Sequence, residues 1–369
     1  MIKTAVFSLL RLGLEISKPD DETLETFARL TGEDWDELYG VSLDHGVAGI
    51  CFDGLKKAIG KLREATDTTI SKELLIKWYG VTCCREKMNA RQLSVAKRLA
   101  CCFAEEEITF ILMKGQANSL YYPKPFHRDT GDIDCFLIKK HGSAYHQGND
   151  IAKAIGLKVD ESWYKHSVIS FEGETIENHQ FFVHTRDGKR GKELDRTLRA
   201  LIAIDVTSYI FYPNTKISLP PVMFNALFLT YHGLAHFVSE GMRLKQITDW
   251  VMFLEKEKDN IDWGVLHSMC KKFNLDVFLK CMNIIANKYY GICVSCDKSE
   301  RLQNLADKII DSVMNDKDFV FGSGKGNWFN RYHLITNLFK YRWKYKEIYE
   351  VSIWRQIWFY FIGFIFKTE

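Results

Sequence analysis

Residues 110–138 read FILMKGQANSLYYPKPFHRDTGDIDCFLI, and the division of this stretch decides the fold class. The apolar run 108–113 ends at Lys114-Gly115, a polar segment with Pro123 and Pro125 follows, and 132–138 (DIDCFLI) is short and β-like. The pattern predicts strand, loop and strand. Alternate side chains of an extended 132–138 share a face, so Asp132 and Asp134 project from one side and Ile133, Cys135 and Leu137 from the other. Two carboxylates in one small volume repel unless something neutralises them, which points to a divalent cation. Mg²⁺ is the expected ion, because it is hard and is often held by one or two carboxylates together with waters and phosphates. The plainer alternative is a solvated strand end.

Met113-Lys-Gly115, Arg128 and Gly131-Asp-Ile-Asp134 followed by an apolar run resemble the nucleotidyltransferase superfamily of the DNA polymerase β type. Within it, the chain resembles the bacterial uncharacterised nucleotidyltransferase family. Asp34-Trp35, Asp44-His45-Gly46-Val47, Ile176-Glu-Asn-His179, His232, His236, Arg243 and Asp249 look like further landmarks, so the likeness spans residues 34–263. Two departures stand out: Gly115-Gln116 replaces the usual Gly-Ser or Gly-Gly, and the gap from Gly115 to Asp132 is longer than the common pattern. The expected fold is α+β, a small mixed nucleotidyltransferase-type sheet (108–206) flanked by an N-terminal helical region (1–107) and a C-terminal helical domain (207–369).

The segments 167–171 and 175–183, separated by Glu172-Gly-Glu174, predict a hairpin with the glycine in the turn. Thr175, Glu177 and His179 then share one face, and if this arm lies beside the Asp132 strand, Glu177 brings a third carboxylate. Otherwise Glu177 is an exposed strand residue. By the resemblance, Asp132, Asp134 and Glu177 are metal ligands and catalytic groups for moving an NMP from an NTP such as ATP to an acceptor hydroxyl, with release of pyrophosphate. Mg²⁺ or Mn²⁺ is the cofactor, and the acceptor is a small molecule, a sugar or a protein. Lys114 and Gly115 are placed to meet phosphates, Gln116 to donate an amide hydrogen bond, and Arg128 either to fork onto a phosphate or to pair with Asp129 or Asp132. The alternative function is a catalytically inactive nucleotide-binding or partner-binding module of the same fold.

With 369 residues the chain can bury a sizeable core. Its 50 basic and 47 acidic residues nearly cancel, which predicts no large nucleic-acid footprint. Ten cysteines without a preceding signal peptide read as reduced thiols of a cytoplasmic protein. Cys293-Val-Ser-Cys296 has metal spacing but no second Cys or His pair to complete a site.

The first 107 residues read as helical. Segment 6–16 is a packed helix too charged to span a membrane, Pro19-Asp-Asp-Glu22 and Asp34-Trp-Asp-Glu-Leu38 open helices, and 72–107 forms one long or twice-broken helical stretch. Leu74, Leu75, Trp78 and Tyr79 are spaced for a buried stripe in it, and His45 reads as a capping or core histidine. After the acidic strand, 142–155 reads as a helix crossing the sheet.

Leu219-Pro-Pro-Val222 breaks the chain before another helix, on which His232, His236 and Glu240 form a row. The Glu that marks a zinc protease is missing between the histidines, so a structural or substrate-facing role is expected. The resemblance places His232, His236, Arg243 and Asp249 near the cleft; a buried polar cluster joining two helices fits the residues equally well. The basic aromatic segment 328–366 reads as a docked helix, with membrane-surface or nucleic-acid contact as alternatives.

Overall fold

A computed structural model describes residues 1–65, 70–140, 142–184, 188–203, 212, 214–239, 241–315 and 339–354. The first helices are α1 (Ile2–Gly13), α2 (Asp21–Ala28), α3 (Gly32–Asp44), α4 (Ala48–Ala65) and the unbroken 34-residue α5 (Lys72–Glu105). Their starts are written locally. Asp20 accepts the Thr23 amide, Thr31 and Asp34 form a reciprocal capping box, and the Ser71 hydroxyl accepts the Leu74 amide. Helices α1 and α4 cross where neither has a side chain: a Cβ on Gly13 would lie 2.0 Å from the Ile50 carbonyl oxygen, and one on Gly54 2.1 Å from that of Leu9. Of the stripe expected on α5, Leu74 and Trp78 are buried and Leu75 is half-buried, whereas Tyr79 is exposed, its ring touching only the edge of the core at Phe52, 5.9 Å away.

The sheet has seven strands: β1 (Thr109–Met113), β2 (Ile133–Lys139), β3 (Gly142–Ser143), β4 (Lys158–Asp160), β5 (His166–Phe171), β6 (Glu174–His179) and β7 (Ile217–Ser218). Their order is β4-β5-β6-β2-β1-β7, with β3 on β2. Pairings β1·β2, β5·β6, β4·β5 and β2·β3 are antiparallel, whereas β2·β6 and β1·β7 are parallel, so the sheet is mixed. The protein is thus α+β, as expected.

Three local readings are corrected. The segment between the first two strands is not a plain loop: Lys114–Ser119 is helical (α6) and Pro125–His127 makes a 3-10 turn. The helix expected over 142–155 starts later, as α7 (Tyr145–Ala154), because Gly142–Ser143 pairs with β2 first. The hairpin turn is two residues, Glu172 and Gly173, both at positive φ (52° and 80°), so Glu174 belongs to β6.

The sheet's faces separate by residue parity. Phe110, Leu112, Ile133, Cys135, Leu137 and Ile176 pack with the second half of α5 and with α7. Ile111, Met113, Phe136 and Ile138 face the larger core, which includes α9 (Val222–Ser239) and α10 (Leu244–Glu257). Helices α8 (Lys189–Ala203), α11 (Trp263–Phe273), α12 (Asp276–Ile285) and α13 (Glu300–Asn315) complete the described α-helices, and π-helical turns occupy Ala286–Tyr290 and Lys344–Ile348. All ten cysteines are free, and no described helix is long and apolar enough to cross a membrane.

Of the aromatic segment 328–366, residues 328–338 and 355–366 lie outside the described residues, as does Glu240. The described part docks on helices. The Tyr345 hydroxyl donates to the Val238 carbonyl (2.7 Å), the Trp343 ring lies 5.7 Å from that of Phe237, and the Lys308 ammonium sits 4.1 Å from the Trp343 ring centre.

Candidate active site

The β2·β6 register builds the site. Asp134 is the cross-strand partner of Glu177, and Met113 on β1 is the antiparallel partner of Asp134. Asp132, one pleat before Asp134, falls on the same face, opposite Ile133 and Cys135. Burial and repulsion from Glu177 and Asp134 push the Asp132 carboxyl up, against the pull of Lys114 and Lys245. Asp134 and Glu177 therefore both act on Asp132.

Two histidines extend that face. In β5, His166 is the register partner of His179 and Val168 that of Glu177. His166 Nε2 lies 3.4 Å from Glu177 Oε1, and His179 Nε2 lies 3.3 Å from Glu177 Oε2 and 2.8 Å from Asp134 Oδ1. His179 is wholly buried and its Nδ1 donates to the Phe181 carbonyl at 3.2 Å. Burial lowers His166 to about 4, Glu177 opposing and His179 assisting.

Lys114 has left-handed φ (49°), a strained conformation for a residue with a side chain, and its ammonium pairs with Asp134. Burial alone would raise Asp134, but Lys114 and His179 outweigh it and hold the carboxyl well below the usual range. From α9, His232 is driven well below its ordinary value by burial and by His236, Lys114 and Lys165, Asp134 opposing. Its ring stacks on Phe228 and meets His236 edge-on at 4.4 Å.

The remaining predicted residues are held by contacts within the protein. Gly115 makes room for Arg128, whose Nη1 would be 2.8 Å from a Cβ there. Arg128 is buried and directed at Asp249 on α10: Nε donates to Oδ1 at 3.0 Å, Nη2 to Oδ2, and Nη1 to the Asp129 carbonyl at 2.8 Å. The Tyr122 hydroxyl also donates to Asp249, at 2.8 Å. Arg128 and Asp249 thus form a buried polar cluster that ties the approach to β2 to α10. Gln116 is buried and donates to Gln92 Oε1 at 2.9 Å, while Gln92 donates to the Gly131 carbonyl at 2.7 Å. Its amide is therefore spent on holding the turn before Asp132. His45 caps α10, its Nδ1 accepting the Leu244 amide at 3.3 Å; burial lowers it to about 4.

Sequence reasoning passed over His166 and Lys245. Counting back from a two-residue turn at Glu172-Gly173 pairs His166 with His179, so the signal was present but was lost when Glu174 was given to the turn. Lys245 carried no local signal. Its charge acts on Asp132 and Asp129 from the start of α10, where the His45 carbonyl accepts the Lys245 amide at 3.2 Å.

Repulsion at Asp132 has a measurable consequence. A carboxyl raised by folding contributes stability below its unfolded value and loses it as pH rises through the folded value. At neutral pH the metal-free protein therefore carries a cost that Asp132→Asn removes. Urea denaturation should show a gain of about 0.5 kcal/mol, small because the Asp132 carboxyl is only partly withdrawn from screening solvent, and no gain below the carboxylate range. A loss of stability at neutral pH would contradict the repulsion.

The strand pair thus gathers clustered carboxylates, with lysines and imidazoles around them, on an α+β scaffold. The match to the family described as uncharacterised nucleotidyltransferase runs over residues 31–291. The chain belongs to that family, a family of enzymes that transfer phosphorus-containing groups. No curated protein and no solved structure matches the chain significantly.

Proposed function

We propose that the protein transfers a nucleoside monophosphate from an NTP to an acceptor hydroxyl with the help of a divalent cation, Mg²⁺ or Mn²⁺. The observation that carries this reading is the register that sets Asp134 beside Glu177 with Asp132 on the same face. The residues fit a cation: the Asp132 carboxyl is repelled by Asp134 and Glu177, and hard divalent ions are held by such oxygens. When bound, the cation neutralises charge on the triphosphate and lowers the pKa of the acceptor hydroxyl.

The chain's own groups do the rest. Asp132 and Asp134 hold the nucleotide-bearing cation, and Lys114 turns from Asp134 to the β or γ phosphate. Glu177 accepts the proton as the acceptor oxygen bonds to the α-phosphorus and the bond to the β-phosphate oxygen breaks, releasing pyrophosphate. Gly115, Gln116 and Arg128 serve by keeping the turn and β2 in place. The acceptor is left to the pocket, since these carboxylates suit a small molecule, a sugar or a protein alike.

The test is incubation of the full chain with α-phosphate-labelled NTPs, Mg²⁺ or Mn²⁺ and cell extract. Label should move to an extract component and fail to move with Asp132→Ala combined with Asp134→Ala. Transfer that survives the double substitution refutes the reading.

One observation favours a second reading, an inactive binding module of the same fold. The Lys114 ammonium rests on Asp134, where a cation would otherwise sit. This reading expects nucleotide or partner binding that is indifferent to divalent ions, and no label transfer.

A further inference from the structure

We infer that His166, Glu177 and His179 form a binding site for a transition-metal dication of the zinc type, adjoining but distinct from the oxygen-only pair Asp132 and Asp134. The donor atoms of the three residues all lie within 4.8 Å of one another. The Glu177 carboxylate faces both imidazoles, Oε1 at 3.4 Å from His166 Nε2 and Oε2 at 3.3 Å from His179 Nε2, so a small movement of the side chain brings one oxygen to both. Donors bound tetrahedrally to zinc at about 2.0–2.2 Å stand about 3.3–3.6 Å apart.

The chemistry of the donors decides the ion. Mg²⁺ seeks oxygen ligands and keeps its waters, whereas neutral imidazole suits zinc and its neighbours in the first transition row. Two imidazoles and one carboxylate leave a fourth position open, the pattern of a zinc site that takes a water or substrate oxygen. The orientation of His179 fits this role. Its Nδ1 is held by the Phe181 carbonyl, which fixes the ring so that Nε2 faces the oxygens of Glu177 and Asp134. Without metal the Nε2–H donates to Asp134, and an ion bound at Nε2 takes the place of that proton. Asp134 Oδ1, 2.8 Å from His179 Nε2, is placed to be shared with the cation held by Asp132.

The inference deepens the transfer reading and rests on it for the ion's catalytic role, as the ion beside Glu177 on the acceptor side. Binding itself is measurable without nucleotide. The full-length protein, stripped of metal, is titrated with Zn²⁺ by calorimetry and with Co²⁺ by visible absorption. The expected result is one saturable Zn²⁺ site that excess Mg²⁺ does not empty, and a Co²⁺ spectrum of low-coordinate nitrogen ligation. His166→Ala should weaken Zn²⁺ by at least the roughly 10–100-fold that losing an outer-sphere partner alone costs, and should abolish the Co²⁺ band. His179→Gln should do the same. If that buried substitution unfolds the protein, His166→Ala, at a partly exposed position with no hydrogen bond on Nδ1, carries the test, with circular dichroism as the check on folding. Absence of saturable Zn²⁺ binding, Zn²⁺ affinity unchanged in His166→Ala, or ready displacement by Mg²⁺ would overturn the assignment. Label transfer without Zn²⁺ binding removes this site alone; Zn²⁺ binding without label transfer removes only the transfer reading.

Discussion

Replacing Asp134 by asparagine is expected to lower nucleotidyl transfer by about three orders of magnitude, equivalent to ~4 kcal/mol of transition-state stabilisation. Asp134 stands where the site's two strands meet. It faces Glu177 across the β2·β6 pairing, binds the Lys114 ammonium and lies 2.8 Å from His179 Nε2. An amide of the same shape keeps the strand but weakens the cation's grip, and it leaves Lys114 and His179 facing a neutral group. The carboxyl, held well below its usual range, contributes stability above the unfolded carboxylate value and loses it as pH falls through the folded one. Asp134→Asn should therefore also destabilise the metal-free protein at neutral pH, whereas Asp132→Asn should stabilise it. Steady-state label transfer under excess Mg²⁺, with urea melts beside it, checks both. A tenfold loss or less would mean that Asp134 serves the fold and not the reaction.

The second large effect is on stability. Asp249→Ala should cost about 3–5 kcal/mol, because it strands the buried Arg128 guanidinium without its anion. Arg128 is raised above its ordinary value: burial lowers it, but Asp249 more than compensates, so the pair is charged and dry. The Tyr122 hydroxyl loses its acceptor as well. Such a loss is a large share of the stability of an ordinary domain, about 5–15 kcal/mol. Arg128→Met combined with Asp249→Leu should recover most of it, since two apolar groups leave no charge behind. Urea denaturation of the single and double variants closes the cycle, and a single-variant loss under about 1 kcal/mol would show that water reaches the pair.

How far the sequence led depended on how local each signal was. The alternation in 132–138 showed which face carries Asp132 and Asp134, and the same period showed that Glu177 and His179 go together. Pairing β6 directly with β2 was stated only as a condition, because a parallel neighbour reached through α7, β4 and β5 leaves no short-range mark. The position of Arg128 was open for the same reason: its partner Asp249 stands 121 residues away on another helix. Gln116, a departure from the family pattern, reads differently once Gln92 is seen beside it, since the long α5 supplies the polar partner that a sequence window cannot show. His166 was within reach of the sequence, through a turn counted one residue too long.

The most direct measurement of the central claim is a crystal of the protein with Mn²⁺ and a non-hydrolysable NTP, read by anomalous scattering at the manganese edge. The account predicts manganese bound to Asp132 and Asp134, Glu177 in reach of it, and Lys114 turned from Asp134 to the triphosphate. Lys114 still paired with Asp134, with no manganese signal at the three carboxylates, would contradict it.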